Sequence, residues 1–511
     1  MENQRIKSFL LVLLVVILLL LSFYIPKVKI GSTELRRINI LSDVMRKDSD
    51  GQVLAEVKID SIVGTLEIGE DTLNISSPVP EAAFDQIIDE KGENGERPTE
   101  STDTPSDEPN SSSSDTTAKA GGFDSSQKAS SNSNPDTTYS PISVESIDYS
   151  NVSTNGIVEI EDFGNSMRHF YSALSQSGGR SVRVAFFGDS FIEGDILSGD
   201  LREMLQSRYG GKGVGWVDIS CVSERFRQTA RTTNSGWSKH HANDRSGYKS
   251  SLQGLNGGYF VPSGTGNFTV TTSKGHSATA DKAIIYLSPS GISLKGCANG
   301  GAMEDLSVEG NNTLGIAQIN KSGISKLSIS ASGTGHVLGV ALEGNTGIVV
   351  DNYSMRGSNG CYTANTSDAM LSAYAQYRPY DLFIFQYGLN IANKNTKDYS
   401  SYANQFKRVI RKIKAHFPNA SILILGSGDR DIKTGDGLVT MPGVKELIAT
   451  QRQMAVDEGV AFWNTYAAMG GEGGIGRMQE KKQANLDYTH INFAGGKVIA
   501  KSLFDALTHG R

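Results

Sequence analysis

The stretch that most constrains the fold of this chain runs from Val182 to Ser190 and reads VRVAFFGDS. Its apolar, β-rich residues are typical of a buried strand, and an amphipathic helix pattern follows. Gly188 permits backbone angles that a bulkier residue resists, which suits an abrupt strand end. The hydroxyl of Ser190 would then lie at the carboxyl edge of a parallel sheet, where α/β proteins place their ligands. The stretch therefore predicts a parallel α/β sheet with a nucleophile at its edge.

A second group of residues near the carboxyl terminus could serve that nucleophile. Asp487-Tyr488-Thr489-His490 precedes a predicted terminal helix, Phe493–Leu507. A serine nucleophile needs a base for its proton and a carboxylate that orients the base. An Asp three residues before the His can reach the imidazole nitrogen opposite the serine. We predict that Ser190 attacks, that His490 is general base and then acid, and that Asp487 orients His490.

The stretch FFGDSFIEGDILSGDLREMLQSRYGGKGVGWV resembles the SGNH (GDSL-type) hydrolases. It is most similar to the opening of bacterial peptidoglycan O-acetylesterases of that superfamily. The resemblance extends, with gaps, from about Gly156 to Leu507. It implies a three-layer α/β/α domain with a flavodoxin-like parallel sheet, interrupted by an inserted β-domain. Where many relatives have His after the GDS, this chain has Phe191.

The same resemblance implies an oxyanion hole with three donors. One is the N–H of Ser190. The second is a glycine N–H in the loop after the second strand, where Gly357 is the best match and Gly360 the runner-up. The third is the Asn390 amide in a GxND-like motif, which here has Ile391 in place of the usual Asp. An amide N–H aimed at developing negative charge lowers the barrier by about 3–4 kcal/mol in comparable sites.

Four further residues are candidate substrate-binding residues at this edge: Asp189, Gly388, Asp429 and Arg430. The last two belong to a polar loop after the predicted fourth strand, Ser421–Leu425. The predicted chemistry needs no cofactor and no metal. None of the three cysteines has CxxC spacing, so a zinc or thioredoxin-like site is not indicated, and their pairing stays open.

Between Trp216 and Tyr353 the helix signal nearly disappears, and short strand-like runs alternate with Gly, Asn and Ser turns. This pattern is typical of a β-sandwich or jelly roll, and the resemblance implies a carbohydrate-binding-like module. Three aromatic residues could stack on sugars or be buried in the core, the latter being favoured: Trp237, Tyr248 and Tyr259. The pair His240-His241 has no partner ligand at a recognisable spacing, so we expect an exposed polar loop rather than a metal site.

The amino-terminal part has a different composition. Residues Ser8–Ile25 are apolar almost without break, and as a helix they would span roughly 27 Å, close to the hydrocarbon thickness of a bilayer. No small-x-small cleavage site follows, so an uncleaved anchor is favoured over a signal peptide. The catalytic part is expected outside the cytoplasm, in the periplasm or extracellular space. Pro80 to about Pro141 is rich in Ser, Thr, Asp and Pro, and such a segment cannot bury enough apolar surface to order itself.

These patterns divide the chain into six segments: an amino-terminal tip and transmembrane anchor (1–30), a membrane-proximal β-rich segment (31–79), a Ser/Asp/Pro-rich linker (80–150), the first part of the hydrolase domain (151–225), an inserted β-sandwich (226–345) and the second part of the hydrolase domain (346–511). The formal net charge is −6 and no basic stripe is present, which argues against a nucleic-acid partner.

The resemblance implies a membrane-anchored cell-envelope esterase that removes O-acetyl groups from a glycan such as peptidoglycan. One alternative is an O-acetyltransferase that passes acetyl from Ser190 to a sugar hydroxyl, together with a membrane acyl-transfer partner. The catalytic residues of both would be the same, so the sequence does not separate them. A second alternative is a non-catalytic glycan-binding protein, against which the intact serine, histidine and carboxylate argue.

Overall fold

The computed structural model describes residues 29–30, 33–34, 156–244, 247–435 and 437–510. The chain forms two units, Met1–Leu73 and Asn74–Arg511. In the first, Lys29–Ile30 (β1) pairs antiparallel with Thr33–Glu34 (β2). The predicted anchor and linker lie outside the described residues. Within the described part, no helix is both long and apolar enough to cross a membrane.

The second unit is a mixed α/β structure, and its elements follow in chain order. The strands are β3 (Glu161–Asp162), β4 (Ser181–Gly188), β5 (Gly215–Val217), β6 (Ala230–His241), β7 (Gly258–Thr272), β8 (Ala280–Leu287), β9 (Ile292–Ala298), β10 (Glu304–Asp305), β11 (Glu309–Gly310), β12 (Gly315–Ile324), β13 (Lys326–Gly333), β14 (Val337–Glu343), β15 (Gly347–Ser354), β16 (Leu382–Gln386), β17 (Ser421–Leu425), β18 (Asp431–Thr434), β19 (Gly437–Thr440) and β20 (Ala461–Trp463). The α-helices are α1 (Arg168–Leu174), α2 (Ser198–Tyr209), α3 (Asp368–Tyr377), α4 (Ser400–His416), α5 (Val444–Glu458), α6 (Thr465–Ala468), α7 (Gly474–Glu480) and α8 (Phe493–Thr508).

The central sheet has the strand order β15-β4-β16-β17-β20-β3, in which only β3 is antiparallel to its neighbour. Along β4, alternate side chains enter two different apolar clusters. Ala185 and Phe187 pack with α3, α4 and α5, whereas Val184 and Phe186 pack with α1, α2 and α8. Helices therefore cover both faces, as a near-continuous apolar strand requires. The predicted α/β part of the fold is confirmed, with the flavodoxin-like strand order.

The helix α4 shows why local patterns predicted these elements well. Its apolar residues recur every three or four positions and all are buried: Tyr402, Phe406, Val409, Ile410 and Ile413. The structure gives this helix the bounds Ser400–His416, as its periodicity predicts. The helix α8 begins where predicted, because the Asn492 side chain accepts the N–H groups of Ala494 and Gly495.

The inserted residues form a ten-stranded sheet, β5–β14, that folds into two facing halves. The long strand β7 belongs to both: Asn267–Thr271 pairs with β13, while Phe260 pairs with β14. Apolar side chains from β9 and β13 share one buried cluster with those from β8 and β14. This is the expected β-sandwich arrangement. Its first strand, β5, lies before the predicted start of the insertion at residue 226.

The histidine pair and two of the aromatic candidates of the β-domain lie in strands β6 and β7. The His240-His241 pair is not an exposed loop, because β6 extends to His241, whose side chain is buried. Of the aromatic candidates, Tyr259 is buried and stacks on His240 with 4.9 Å between ring centroids. The Trp237 indole N–H donates to the backbone oxygen of Asn267.

The outer face of the β8 half packs on the α/β domain. Ile284 and Tyr286 of β8 belong to the same apolar cluster as α3 and α4, whereas Ile285 faces the inside of the β-sandwich. Successive side chains of a strand point to opposite faces, so one face of β8 is buried against the α/β domain and the other inside the β-sandwich. The β-domain is therefore continuous with the core of the α/β domain.

Candidate active site

Ser190 lies two residues beyond β4, at the carboxyl edge of the central sheet. A Cβ atom on Gly188 would come within 2.7 Å of the Ile192 side chain and 3.0 Å of the Gln386 carbonyl oxygen, so the turn requires glycine. The Ser190 side chain is largely buried, and its Oγ lies 2.9 Å from Nε2 of His490. The two residues are 300 positions apart in the chain. The fold thus brings the predicted nucleophile to the predicted base.

Asp487 holds the imidazole from the opposite side. Its Oδ2 lies 2.7 Å from Nδ1 of His490, and its Oδ1 accepts the N–H groups of Thr489 and His490, each at 3.0 Å. Burial opposes ionisation of this carboxyl, but the hydrogen bonds and the charge of His490 outweigh it, so the pKa of Asp487 lies below its ordinary value. An ionised Asp487 favours the tautomer with the proton on Nδ1, which leaves the Nε2 lone pair for the serine hydroxyl.

The loop that carries Asp487 and His490 is held at several points. The Asn485 N–H donates to the His490 oxygen at 2.8 Å, and the Asp431 N–H donates to the Tyr488 oxygen at 3.0 Å. Tyr488 has a φ of +50°, a left-handed conformation that costs energy in a residue with a side chain. The surrounding contacts therefore keep the loop in a strained geometry that presents His490 to Ser190.

Asn390 is exposed and lies next to Ser190, but its amide already has partners. Its Nδ2 donates to Oδ2 of Asp189 and to the backbone oxygen of Ser358, each at 3.1 Å. Both amide hydrogens are therefore engaged in this conformation. To serve an oxyanion, the amide must share or release one of these bonds. The role of Asn390 as an oxyanion donor stays a prediction. No feature of the sequence predicts that the backbone oxygen of Ser358 accepts a hydrogen bond from Asn390.

The two glycine candidates differ in their surroundings. The Gly360 N–H donates to Oγ of Ser358 at 3.0 Å, and a Cβ at this position would overlap the rings of Tyr387 and Phe406. Gly360 therefore has a packing role and its N–H is already engaged, which argues against Gly360 as the glycine donor of the oxyanion hole. Gly357 also has a left-handed backbone, with φ +74°, and no hydrogen bond to its N–H is found among the described residues. Its assignment as an oxyanion donor stays a prediction.

Asp189, Gly388 and Asp429, expected to contact substrate, are buried. Asp189 accepts the Phe191 N–H at 2.9 Å as well as the Asn390 amide, and burial raises the pKa of Asp189 to about 6. Asp429 accepts from Oγ1 of Thr440 at 2.8 Å and from the Ile475 N–H at 3.0 Å. In this structure the neighbouring elements cover these three residues, and their predicted substrate contacts stay predictions.

Gly388 has a steric role. A Cβ there would lie 2.9 Å from the Cα atom of Ser427, at the end of the neighbouring strand. The fourth candidate, Arg430, is half-buried, and its Nη1 donates to the backbone oxygen of Leu389 at 3.2 Å. Arg430 is therefore the one residue of this group whose side chain reaches the surface beside the site.

Two features of the site were missed by sequence reasoning. Arg356 forms a bidentate ion pair with Glu193, next to the turn that carries Ser190. Its Nε donates to Oε2 at 2.7 Å, and its Nη2 donates to Oε1 at 2.8 Å. Asp431 is buried beside Asp429, and burial together with the Asp429 charge raises the pKa of Asp431 to about 6. In the sequence, only the alternation Asp429-Arg430-Asp431 indicates that two carboxylates could lie close together. Across the described residues, no cluster of three or more His, Cys, Asp or Glu side chains is arranged to hold a metal ion.

No protein-family model and no curated protein matches the sequence. A solved structure of a peptidoglycan O-acetylesterase aligns with 68% of this chain and 97% of its own, with a TM-score of 0.58 and 22% sequence identity. The chain therefore resembles the SGNH hydrolases of this type in fold, as its sequence predicts.

Two carbohydrate esterases also align, at lower scores. A family two carbohydrate esterase from Cellvibrio japonicus covers 54% of this chain and 97% of its own, with 9% identity and a TM-score of 0.23. A carbohydrate esterase family 2 enzyme with a carbohydrate binding domain, from Corynascus thermopiles, covers 53% and 98%, with 12% identity and a TM-score of 0.22. Such scores are too low to indicate a shared overall fold.

Proposed function

We propose that this protein is a serine esterase that removes O-acetyl groups from a glycan of the cell envelope, with peptidoglycan as the first candidate. One observation carries the proposal: the continuous hydrogen-bonded series from Ser190 through His490 to Asp487, at the carboxyl edge of a parallel sheet. The shared fold with a solved peptidoglycan O-acetylesterase supports the choice of substrate class.

The geometry suits acyl transfer in two steps. The Ser190 Oγ attacks the acetyl carbon while His490 Nε2 takes the hydroxyl proton. The tetrahedral intermediate collapses, and His490 returns that proton to the sugar oxygen as the carbon–oxygen bond breaks. Water then attacks the acetyl-enzyme, giving one proton to His490, and acetate leaves as the Ser190 hydroxyl is restored. Asp487 stabilises the imidazolium in both steps, while the N–H groups of Ser190 and Gly357 and the Asn390 amide are the proposed oxyanion donors.

The first test is the Ser190→Ala variant with an aryl acetate as substrate. Without the nucleophile, kcat/KM should fall at least about 1,000-fold, and a fluorophosphonate probe should no longer label the protein. Hydrolysis by the variant at the wild-type rate would refute the proposed mechanism. Failure of the wild-type protein to react with the probe would instead favour the glycan-binding alternative.

The chain offers a matched control on its surface. Ser372 lies 3.0 Å from Nδ1 of His416, whose Nε2 lies 3.2 Å from Asp368. This group imitates the order of side chains at Ser190, but it lies on helical surfaces and Asp368 is 73% exposed. Ser372→Ala should therefore keep full activity and full labelling.

The same purified protein can distinguish hydrolysis from transfer. Incubation with an acetyl donor and glycan acceptors should release free acetate and leave the acceptors unmodified. Acetylated sugar as the main product would establish the transferase alternative, since the acetyl-enzyme is common to both reactions.

We further propose that residues 8–25 anchor the protein in a membrane, with the catalytic part outside the cytoplasm. The apolar composition of this segment supports the proposal. Deletion of residues 1–30 should move the protein from the membrane fraction to the soluble fraction, and protease added to spheroplasts, in which only the cytoplasmic membrane is intact, should cleave the anchored form. Protection from that protease would place the catalytic part inside.

A further inference from the structure

Arg430 is a cation at the edge of the candidate site, and no carboxylate of the described part of the chain forms an ion pair with it. Its side chain is half-buried, and its one hydrogen bond there, from Nη1, goes to the neutral backbone oxygen of Leu389. Burial lowers the pKa of Arg430, and the charge of Asp487 opposes that shift. A guanidinium has five N–H donors, so most of its hydrogen-bonding capacity remains for a ligand.

The position of this guanidinium follows from two contacts. Leu389, which accepts its hydrogen bond, directly precedes Asn390, whose amide contacts Asp189 beside the nucleophile. The backbone of the next residue, Asp431, donates to Tyr488 in the loop that carries His490. Arg430 thus lies beside both loops that flank Ser190, within reach of a group attached to a bound ester.

Other buried or half-buried arginines of the α/β domain differ from Arg430 because each forms an ion pair. Arg356 is held by Glu193, Arg202 and Arg227 by Asp195, and Arg378 by Asp351. In each case a carboxylate of the chain compensates the cost of removing the cation from water. Arg430 has only the more distant charge of Asp487, with no ion pair. Its planar guanidinium matches a carboxylate with two parallel hydrogen bonds.

We propose that Arg430 binds a carboxylate of the glycan close to the acetyl ester, so that the preferred substrates are O-acetylated glycans that carry carboxylates. This inference rests on the proposed esterase function and narrows its substrate class. Arg430 is then a specificity-determining residue. A neutral ester without a carboxylate does not use it.

The test compares two forms of one polymer. O-acetylated polygalacturonate carries a carboxylate on each sugar, and conversion of those carboxylates to methyl amides removes the charge but keeps the esters. For the wild-type protein, kcat/KM for acetate release should be about 10- to 100-fold higher on the charged form. Arg430→Gln should lose that preference, so that its kcat/KM on the charged form falls to the value on the amidated form. Arg411→Gln, which removes an exposed cation on α4, should keep the preference.

Three results would overturn the inference. Equal rates of the wild-type protein on both polymers, or an Arg430→Gln variant that keeps the preference, would show that no carboxylate is bound there. A parallel loss on p-nitrophenyl acetate would show that Arg430 acts through Asp487 instead. If the wild-type protein hydrolyses no ester at all, the esterase proposal itself fails. Retention of Ser190→Ala and Ser190→Ala/Arg430→Gln on the two immobilised polymers then tests carboxylate binding by itself.

Discussion

Two carboxylates close to Ser190 are tuned in opposite directions by their surroundings. Burial dominates at Asp189 and raises its pKa to about 6. At Asp487 burial acts in the same sense, but the hydrogen bonds and the charge of His490 prevail, and its pKa is lowered. Asp189 supports the Asn390 amide, whereas Asp487 stabilises an imidazolium. The opposite pKa shifts of the two carboxyl groups follow from the different groups that each one contacts.

This difference predicts a pH dependence of stability. The ordinary pKa of Asp189 is 3.8, so the folded state holds a proton that the unfolded chain releases between pH 3.8 and about 6. The stabilisation is complete below pH 3.8 and is lost as the pH rises through about 6. It amounts to about 2–3 kcal/mol. Between pH 4 and 7, the unfolding free energy of the wild-type protein should therefore fall by about 2–3 kcal/mol more than that of the Asp189→Asn variant. Urea unfolding at each pH measures this difference.

Asp487→Asn is the control of opposite sign. The folded pKa of Asp487 is lowered, so its stabilisation is present above the ordinary value and is lost as the pH falls. Removing it should therefore reduce the loss of stability in acid. Asp431 titrates in the same range as Asp189, but it is present in wild type and variant alike. An Asp189→Asn profile parallel to that of the wild type would contradict the assigned pKa.

At the scale of elements, the first turn of α8 determines where His490 lies. A Cβ on Gly495 would be 2.0 Å from the Gln483 oxygen, and a Cβ on Gly496 would be 2.6 Å from the Leu197 nitrogen. The helix therefore packs backbone to backbone against the segment before the His490 loop and against the loop that follows Ser190. This close approach holds the two halves of the site together.

Gly496→Ala should consequently behave unlike an ordinary substitution in a helix. Alanine is favoured over glycine in a helix by about 1 kcal/mol, yet here its methyl group would push α8 away from Leu197. We expect a lower melting temperature and a kcat reduced about 10- to 100-fold, because a displacement of about 1 Å is enough for such a loss. Thermal unfolding and aryl acetate kinetics measure both.

Gly178→Ala provides the comparison for this substitution. A Cβ at Gly178 would meet no atom within 4 Å, so neither stability nor kcat should fall. If Gly496→Ala were as stable and as active as Gly178→Ala, close packing of α8 would not be what positions His490.

For the whole molecule, the decisive feature is the buried contact between the α/β domain and the β-domain. The Arg378 guanidinium is fully buried, donates to both oxygens of Asp351 at 2.7 Å, and contacts Glu343 at 3.0 Å and the Tyr286 hydroxyl at 2.9 Å. Asp351 belongs to the central sheet, while Glu343 and Tyr286 belong to the β-domain. One cation thus links both parts within a continuous apolar cluster.

Removing this cation should destabilise the molecule as a whole. Arg378→Gln leaves the buried Asp351 carboxylate without its cation, which costs about 3–5 kcal/mol. Trp237 lies in β6 against the apolar cluster of the β-domain, and Trp463 lies in the central sheet, so their fluorescence reports on the two parts separately. In variants that retain only one of them, both transitions should coincide and should shift together in Arg378→Gln.

Lys501→Gln is the matched control for loss of a positive charge. Lys501 pairs with Asp505 on the exposed face of α8, with side chains 60% and 32% exposed. Its loss should cost no more than about 0.5 kcal/mol. Two separate transitions for Trp237 and Trp463 would show that the β-domain unfolds independently.

The sequence by itself determined the features that depend on neighbours within a few residues. The strand that ends in Gly188, the bounds of α4 and the first residue of α8 follow from periodicity and turn residues, which act locally. The pair Asp487 and His490 was predictable in the same way, because three residues separate them on one loop.

Tertiary structure decided which polar groups are buried and which partners they meet. Asp189 and Asp429 follow strands just as Arg430 does, yet they are covered, and Arg430 is not. The amide of Asn390 meets Ser358 across 32 residues, and Arg378 joins two domains. Desolvation and hydrogen bonding depend on atoms from distant segments, so no local pattern encodes them.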